Sequence, residues 1–348
     1  MQNIRRLLAI LIIPMLGALG AVPAPASASV PPSASPAVGP RPDSYALAGD
    51  DAYPEGIARD PRSPYFYVSS LTDGRIYRGD VRSPQTTLWL PGDAADGRTT
   101  AGGMKVDHRG RLIVAGGGTG YVWVYDTRTG ALLHRFATAA PNPMLNDVAL
   151  TDNGDVYVTD SFQPTLYRIP EADLRGGAGT TKPLPTFLDL RGTSIDWNAG
   201  FNLNGLVVTP DQRHLIVADY NDGALHRIDL RLRTVRAIDL GGATVHGDGL
   251  LVRGRTLYVV SNIDGNGNTV NVLRLNRRAD RARLLGQLTG PTLHGPSTAA
   301  FDGRDLLVVN FQYGAENPVL PYTVVRLAAG LPWPPTSGDR ATPGHRLS

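Results

Sequence analysis

Six times along the chain a short phrase opens an apolar stretch. The copies are Glu55-Gly56-Ile57-Ala58, Gly102-Gly103-Met104-Lys105, Asn146-Asp147-Val148-Ala149, Asn204-Gly205-Leu206-Val207, Asp248-Gly249-Leu250-Leu251 and Pro296-Ser297-Thr298-Ala299. The steps between them are 47, 44, 58, 44 and 48 residues. A repeat of this period means stacked units or propeller blades, because one such unit cannot bury its apolar face alone. The length of 348 residues alone would suggest two or three domains. The repeat overrides that prior and argues for one ring-like unit.

Each repeat carries two further phrases. The first is a nearly uncharged run, such as Leu112-Ile113-Val114-Ala115 or Leu215-Ile216-Val217-Ala218, as expected of a strand buried on both faces. The second alternates more visibly, as in Thr165-Leu166-Tyr167-Arg168, and so lies farther from the axis with one wetter face. Repeats one to five offer a weaker fourth strand, such as Thr87-Leu88-Trp89-Leu90, and the sixth offers none. Tyr45-Ala46-Leu47-Ala48 is free to complete it, which would remove the exposed sheet edge. The expected fold is all-β: a six-bladed β-propeller with four-stranded blades over residues 44–330, closed by that N-terminal strand. The long third step is expected to hold an insertion around Leu190 to Asn202, with Trp197 and Phe201 forming a lid or stacking platform.

The ends read differently. Arg5 and Arg6, the apolar run Leu7 to Leu19 and the small residues Ala26-Ser27-Ala28 make residues 1–28 a secretory signal peptide. Residues 29–43 read as a Pro/Ala/Ser leader and 331–348 as a Pro/Gly-rich tail. The mature protein is therefore expected to be secreted, extracellular or periplasmic, free of the membrane, and a monomer. Cleavage removes two arginines and no acid, so the formal charge falls from +3 to +1. With basic residues scattered along the sequence, no nucleic-acid partner is expected. The chain has no cysteine, so neither disulfides nor a thiol-linked lipid can stabilise or anchor it.

If the register positions face one axis, Glu55, Asn146, Asn204 and Asp248 converge. The competing reading is local, since Asn-Gly and Asp-Gly pairs are favoured hairpin turns. Shared register across four repeats favours convergence, and each repeat supplies its turn separately, as Asp152-Asn153-Gly154 does. Two carboxylates and two carboxamides form a hard, all-oxygen donor set suited to Ca²⁺, with Mg²⁺ or Mn²⁺ as alternatives. No cysteine or histidine occupies the register, which argues against zinc and copper. His246 and His294 each stand two residues before a register phrase and are candidates for a general base; His108 is less well placed.

The order Glu55, Asn146, Asn204, Asp248, with Pro54-Glu55-Gly56, Asn204-Gly205-Leu206, Asp248-Gly249-Leu250 and Val217-Ala218-Asp219, resembles the six-bladed calcium propellers of the regucalcin/gluconolactonase family. Paraoxonases and diisopropylfluorophosphatase are similar. The likeness spans residues 44–330. It implies a calcium-dependent hydrolase of a small ester, a lactone first, with the four residues as metal ligands and Asp248 also as base or nucleophile. The chain departs from the pattern at Ile57-Ala58 and at Gly102-Gly103, which brings no polar contact. The competing class is a non-catalytic, calcium-stabilised propeller that binds a small ligand, a sugar or a protein on its rim.

Overall fold

Strands of three to seven residues account for nearly all regular structure in the computed structural model. It describes residues 40–92, 96–176, 180–262 and 268–331. The expected signal peptide, most of the leader and nearly all of the tail lie outside the described residues. What is described belongs to the unit Pro40–Ser348. Among the described residues no helix is long and apolar enough to cross a membrane.

The sheets form six blades. The inner strands are Pro54–Arg59, Met104–Val106, Leu145–Leu150, Leu203–Val208, Leu250–Arg253 and Pro296–Asp302. Second strands follow at Tyr65–Ser70, Arg111–Ala115, Val156–Asp160, His214–Asp219, Thr256–Ser261 and Asp305–Asn310. Third strands are Ile76–Asp80, Tyr121–Asp126, Thr165–Ile169, Ala224–Asp229, Thr269–Leu275 and Thr323–Ala328. The outer strands of blades one to five are Thr86–Leu90, Leu132–Ala137, Thr186–Asp189, Val235–Ala237 and Ala282–Leu288. Among these strands, neighbours within each blade run antiparallel.

The uncharged runs are the second strands, and they pack blade on blade. Ile216, Ala218 and Leu225 of blade four share one apolar cluster with Leu257, Val259 and Leu273 of blade five. β-Branched and leucine side chains suit this two-sided burial.

The ring closes as expected. Ser44–Ala46 pairs antiparallel with Thr323–Ala328 and completes blade six. Tyr45 is fully buried, stands edge-on to Phe66 of blade one (centroids 5.0 Å apart) and donates its hydroxyl to the Val81 carbonyl at 2.9 Å. Buried Asp302 gathers Arg41 (2.5 Å), Arg59 (3.2 Å) and Arg326 (2.9 Å), tying leader, first blade and last blade together. Truncating a buried aromatic costs about 3–5 kcal/mol. Tyr45→Ala should therefore lower the guanidinium unfolding midpoint by that equivalent. A shift no larger than that of Leu88→Ala on the exposed outer edge would show the closure to be dispensable.

The long third step resolves differently from expectation. In other blades a short turn joins third and outer strands, as between Asp229 and Val235. In blade three the chain leaves after Ile169, makes a short 3-10 turn at Glu171–Leu174 and lays Thr181–Pro183 parallel to Leu132–Ala137. Blade two thus gains a fifth strand. The excursion is held sideways: Arg111 donates to the Leu174 carbonyl (2.7 Å) and Lys182 to that of Asp173 (2.6 Å). The extra length is here, not in Leu190 to Asn202.

A candidate metal centre in the axial cavity

One ring of hydrogen bonds sets the site. Each register carbonyl accepts a bond from the preceding blade. Gly102 O receives Ser69 Oγ (2.8 Å), Asn146 O receives Gly103 N (2.8 Å) and Asn204 O receives Thr159 Oγ1 (2.8 Å). Asp248 O receives Gly205 N (2.7 Å), Ser297 O receives Gly249 N (2.8 Å) and Glu55 O receives Ser297 Oγ (2.6 Å). The six inner strands are therefore locked at one level. In blade six the level is held by Ser297; Pro296 occupies the place of Pro54, Leu145 and Leu203, opposite the end of the second strand.

Pairing shifts at this level in blades one, three, four and six. Such bulges re-aim side chains at the mouths of sites. The glycines of the phrase serve this approach and not a turn, for neither Gly205 nor Gly249 has positive φ. A Cβ on Gly205 would lie 2.3 Å from Asp248 O, and one on Gly56 would lie 2.3 Å from Gly102 O.

Glu55, Asn146, Asn204 and Asp248 line one cavity of about 310 Å³. Two of its oxygens, Glu55 Oε2 and Asn146 Oδ1, are buried with no hydrogen-bond partner among the described residues. Leaving such an acceptor unsatisfied costs about 1–3 kcal/mol. The Asn146 amide nitrogen donates to Ser161 Oγ at 2.9 Å, which leaves Oδ1 for the cavity. In blade two, Gly102 leaves the space open: a Cβ there would stand 3.4 Å from Glu55 Oε2. Orphaned oxygens around a gap that one methyl would crowd fit a hard cation. Among the described residues no cluster of three or more His, Cys, Asp or Glu side chains forms a metal site. The four register groups are two carboxylates and two carboxamides, oxygen donors of the type calcium takes and without the nitrogen or sulfur ligands typical of zinc.

Electrostatics agree. Burial pushes the Glu55 carboxyl well above its ordinary range, and the nearby charges of Asp248 and Asp147 push it further, opposed by Lys105. Burial likewise raises Asp248, with Asp147 adding to the effect, to about 8; hydrogen bonds from Asn262 and Asn204 oppose the rise. Without a cation these acids hold protons, and a divalent ion would reverse that preference.

Sequence reasoning missed Asn262, Tyr220, Lys105 and Asp147 here. Asn262 donates to Asp248 Oδ2 at 2.9 Å and accepts from the Tyr220 hydroxyl at 2.9 Å, so it orients the carboxylate. Lys105 pairs with Asp147 at 3.2 Å. A lysine inside an apolar inner strand, in a chain with only one other, was the available signal.

No family model matches the chain, and no curated protein does. Solved structures do: 1470 chains match. One is a streptogramin B lyase, 13% identical, with a TM-score of 0.56 over 77% of this chain and 79% of that one. The likeness establishes the β-propeller.

The histidines stand outside this cavity. His246 packs over Gly223, with Nδ1 2.8 Å from the Tyr220 carbonyl, and neither it nor His294 is among the lining residues. The backbone N–H of His294 is tied to Asn310 Oδ1 at 2.9 Å, and the neighbouring Gly295 lines the wall instead. His108 also lies outside it. Trp197 and Phe201 are separated too. Trp197 is partly buried and packs against the apolar cluster that holds Tyr157, Phe187 and Leu203. Phe201 lines the cavity edge-on to Phe162 at 5.0 Å. Facing them, Phe311 and Tyr313 stack at 5.1 Å, and Leu71 and Met144 complete the apolar wall.

Proposed function

We propose that this protein is an exported, calcium-dependent hydrolase of small esters, a lactone with an apolar substituent foremost. The observation that carries the reading is the pair of orphaned oxygens on Glu55 and Asn146, facing the cavity that Asp248 and Asn204 also line. A calcium ion held by Glu55, Asn146, Asn204 and Asp248 would supply a Lewis acid for a substrate carbonyl and for the charge that builds on it. Asp248 takes the proton of the attacking water. Asn262 and Asn204 both hydrogen-bond to this carboxylate and hold its orientation. Phe201, Phe311 and Tyr313 receive the substituent and shed water from the mouth. A polyhydroxylated sugar lactone finds few partners on such walls, since buried hydroxyls need hydrogen bonds. That a solved propeller carries a lyase's name is compatible with catalysis on this architecture and transfers no residue roles.

The cavity also supports a second reading. No histidine, serine or lysine is among its lining residues, so a calcium-stabilised binder of a small apolar ligand uses the same walls.

Elemental analysis of the purified protein, followed by hydrolysis of a panel of alkyl lactones, aryl esters and gluconolactone, separates the two. About one calcium per chain is expected, with turnover of alkyl lactones faster than of gluconolactone, abolished by chelator and restored by calcium. Bound calcium without turnover of any substrate would select the binder. Absence of any divalent ion would remove both readings.

A further inference from the structure

We propose that a cleft between blades four and five binds a linear chain of phosphate groups, at a site that shares no residue with the axial cavity. The cleft has a volume of about 880 Å³ and is lined by Arg213, Arg227, Arg236, Arg277, Arg278 and Arg281, against two carboxylates, Asp211 and Asp280. Arg277, Arg278 and Arg281 share one turn of blade five, and Arg213, Arg227 and Arg236 join them from blade four.

The strand register creates it. Arg227 and Arg236 are direct cross-strand partners, an arrangement in which like charges repel. On its other side Arg227 partners Ile216, which belongs to the apolar cluster shared with blade five. That face therefore looks toward blade five, where the turn before Ala282–Leu288 brings Arg277, Arg278 and Arg281. Arg227 donates to the Arg278 carbonyl and fastens the two walls together.

The charge is only partly offset: Asp280 feels Arg227 and Arg278, and Asp211 feels His214 and Arg213, which leaves arginines in excess. Among the described residues only Arg281 of the six has an ion pair, with Asp239 at 3.1 Å. The Asp211 carboxylate accepts from Thr209 Oγ1 (2.6 Å) and Arg213 N (3.2 Å), and Asp280 accepts from Asn276 Nδ2 (2.6 Å). Both acids also shape their turns, and with six arginines against two carboxylates the cleft stays basic. Planar guanidinium forks match phosphate oxygens in pairs, which lysines do not. The size exceeds what one oxyanion fills. Among the described residues no phenylalanine, tyrosine or tryptophan lines the cleft, which leaves no stacking platform of the kind a single-stranded nucleic acid uses. A phosphate chain without bases is the ligand that meets these conditions.

The test uses the mature protein and inorganic tripolyphosphate in titration calorimetry at low and physiological salt. Saturable one-site binding is expected, weakening steeply with salt as counterion release requires. The double variant Arg236→Ser with Arg278→Ser, both exposed, should bind at least tenfold more weakly while its melting temperature and calcium binding stay unchanged. Failure of tripolyphosphate to bind overturns the proposal. So does equal affinity in the double variant, or equal affinity for citrate, which would mean a diffuse basic surface. Capture of phosphatidylglycerol vesicles without tripolyphosphate binding also overturns it and assigns the arginines to a membrane surface. None of these outcomes bears on the axial site.

Discussion

Asp248→Asn should lower kcat/KM for the best ester by about 10²–10⁴-fold, the range that a positioned general base supplies. The substitution keeps shape and an oxygen but removes the charge that accepts the proton. The folded ring should survive, because the main-chain oxygen of Asp248, which receives Gly205 N, is untouched. Divalent-ion binding should weaken and remain measurable through Glu55, Asn146 and Asn204. Asn262→Ala, which frees Asp248 Oδ2 from its donor, should cost about 10–100-fold, as partners of ligating groups do. His246→Ala and His294→Ala should change turnover only a few-fold, since neither lines the cavity. The rank order is the test. Wild-type activity in Asp248→Asn, or a collapse confined to a histidine variant, would move the chemistry off the carboxylate.

How much of this was legible in the sequence depends on whether a feature repeats. Glu55, Asn146, Asn204 and Asp248 could be aligned because each heads the same phrase, and the ring of carbonyls shows why the phrase has that length. Ser297 was one residue off because Pro296 mimics the start of the phrase, while the bulge that fixes register is invisible without pairing. Asn262, Phe311 and Tyr313 follow second strands whose loops share no common wording, so periodicity says nothing about them. The 3-10 turn at Glu171–Leu174 was hidden for a different reason. Its anchors, Arg111 and His134, belong to another blade, so nothing near it in sequence announces where it docks. The arginine cleft is a mixed case: the run Arg277-Arg278-Ala279-Asp280-Arg281 is visible in the sequence, and only the facing of two blades adds Arg213, Arg227 and Arg236 to it. Trp197 shows the reverse error, an aromatic residue in polar surroundings that the fold packs, partly buried, against an apolar cluster.

Calcium should invert the pH dependence of stability. In the metal-free folded protein the Asp248 carboxyl keeps its proton up to about pH 8, whereas an unfolded chain releases it near 4. Between those values the folded state binds more protons than the unfolded one, so stability falls as pH rises through the window. Glu55, raised for the same reasons, acts in the same direction. A divalent ion binds the ionised carboxylates, so its binding releases protons and its affinity climbs across this window, levelling above about pH 8. At a calcium concentration about 100 times Kd the linkage contributes about 2.7 kcal/mol, or roughly 4–5 °C in melting temperature for a domain of this size. Thermal melts with chelator should therefore drift downward from pH 5 to pH 8.5. Melts with calcium should hold level or rise, and the gap between the curves should be widest at the alkaline end. Two superimposable curves, or a chelated protein that grows more stable toward alkaline pH, would mean that Glu55 and Asp248 do not share a cation.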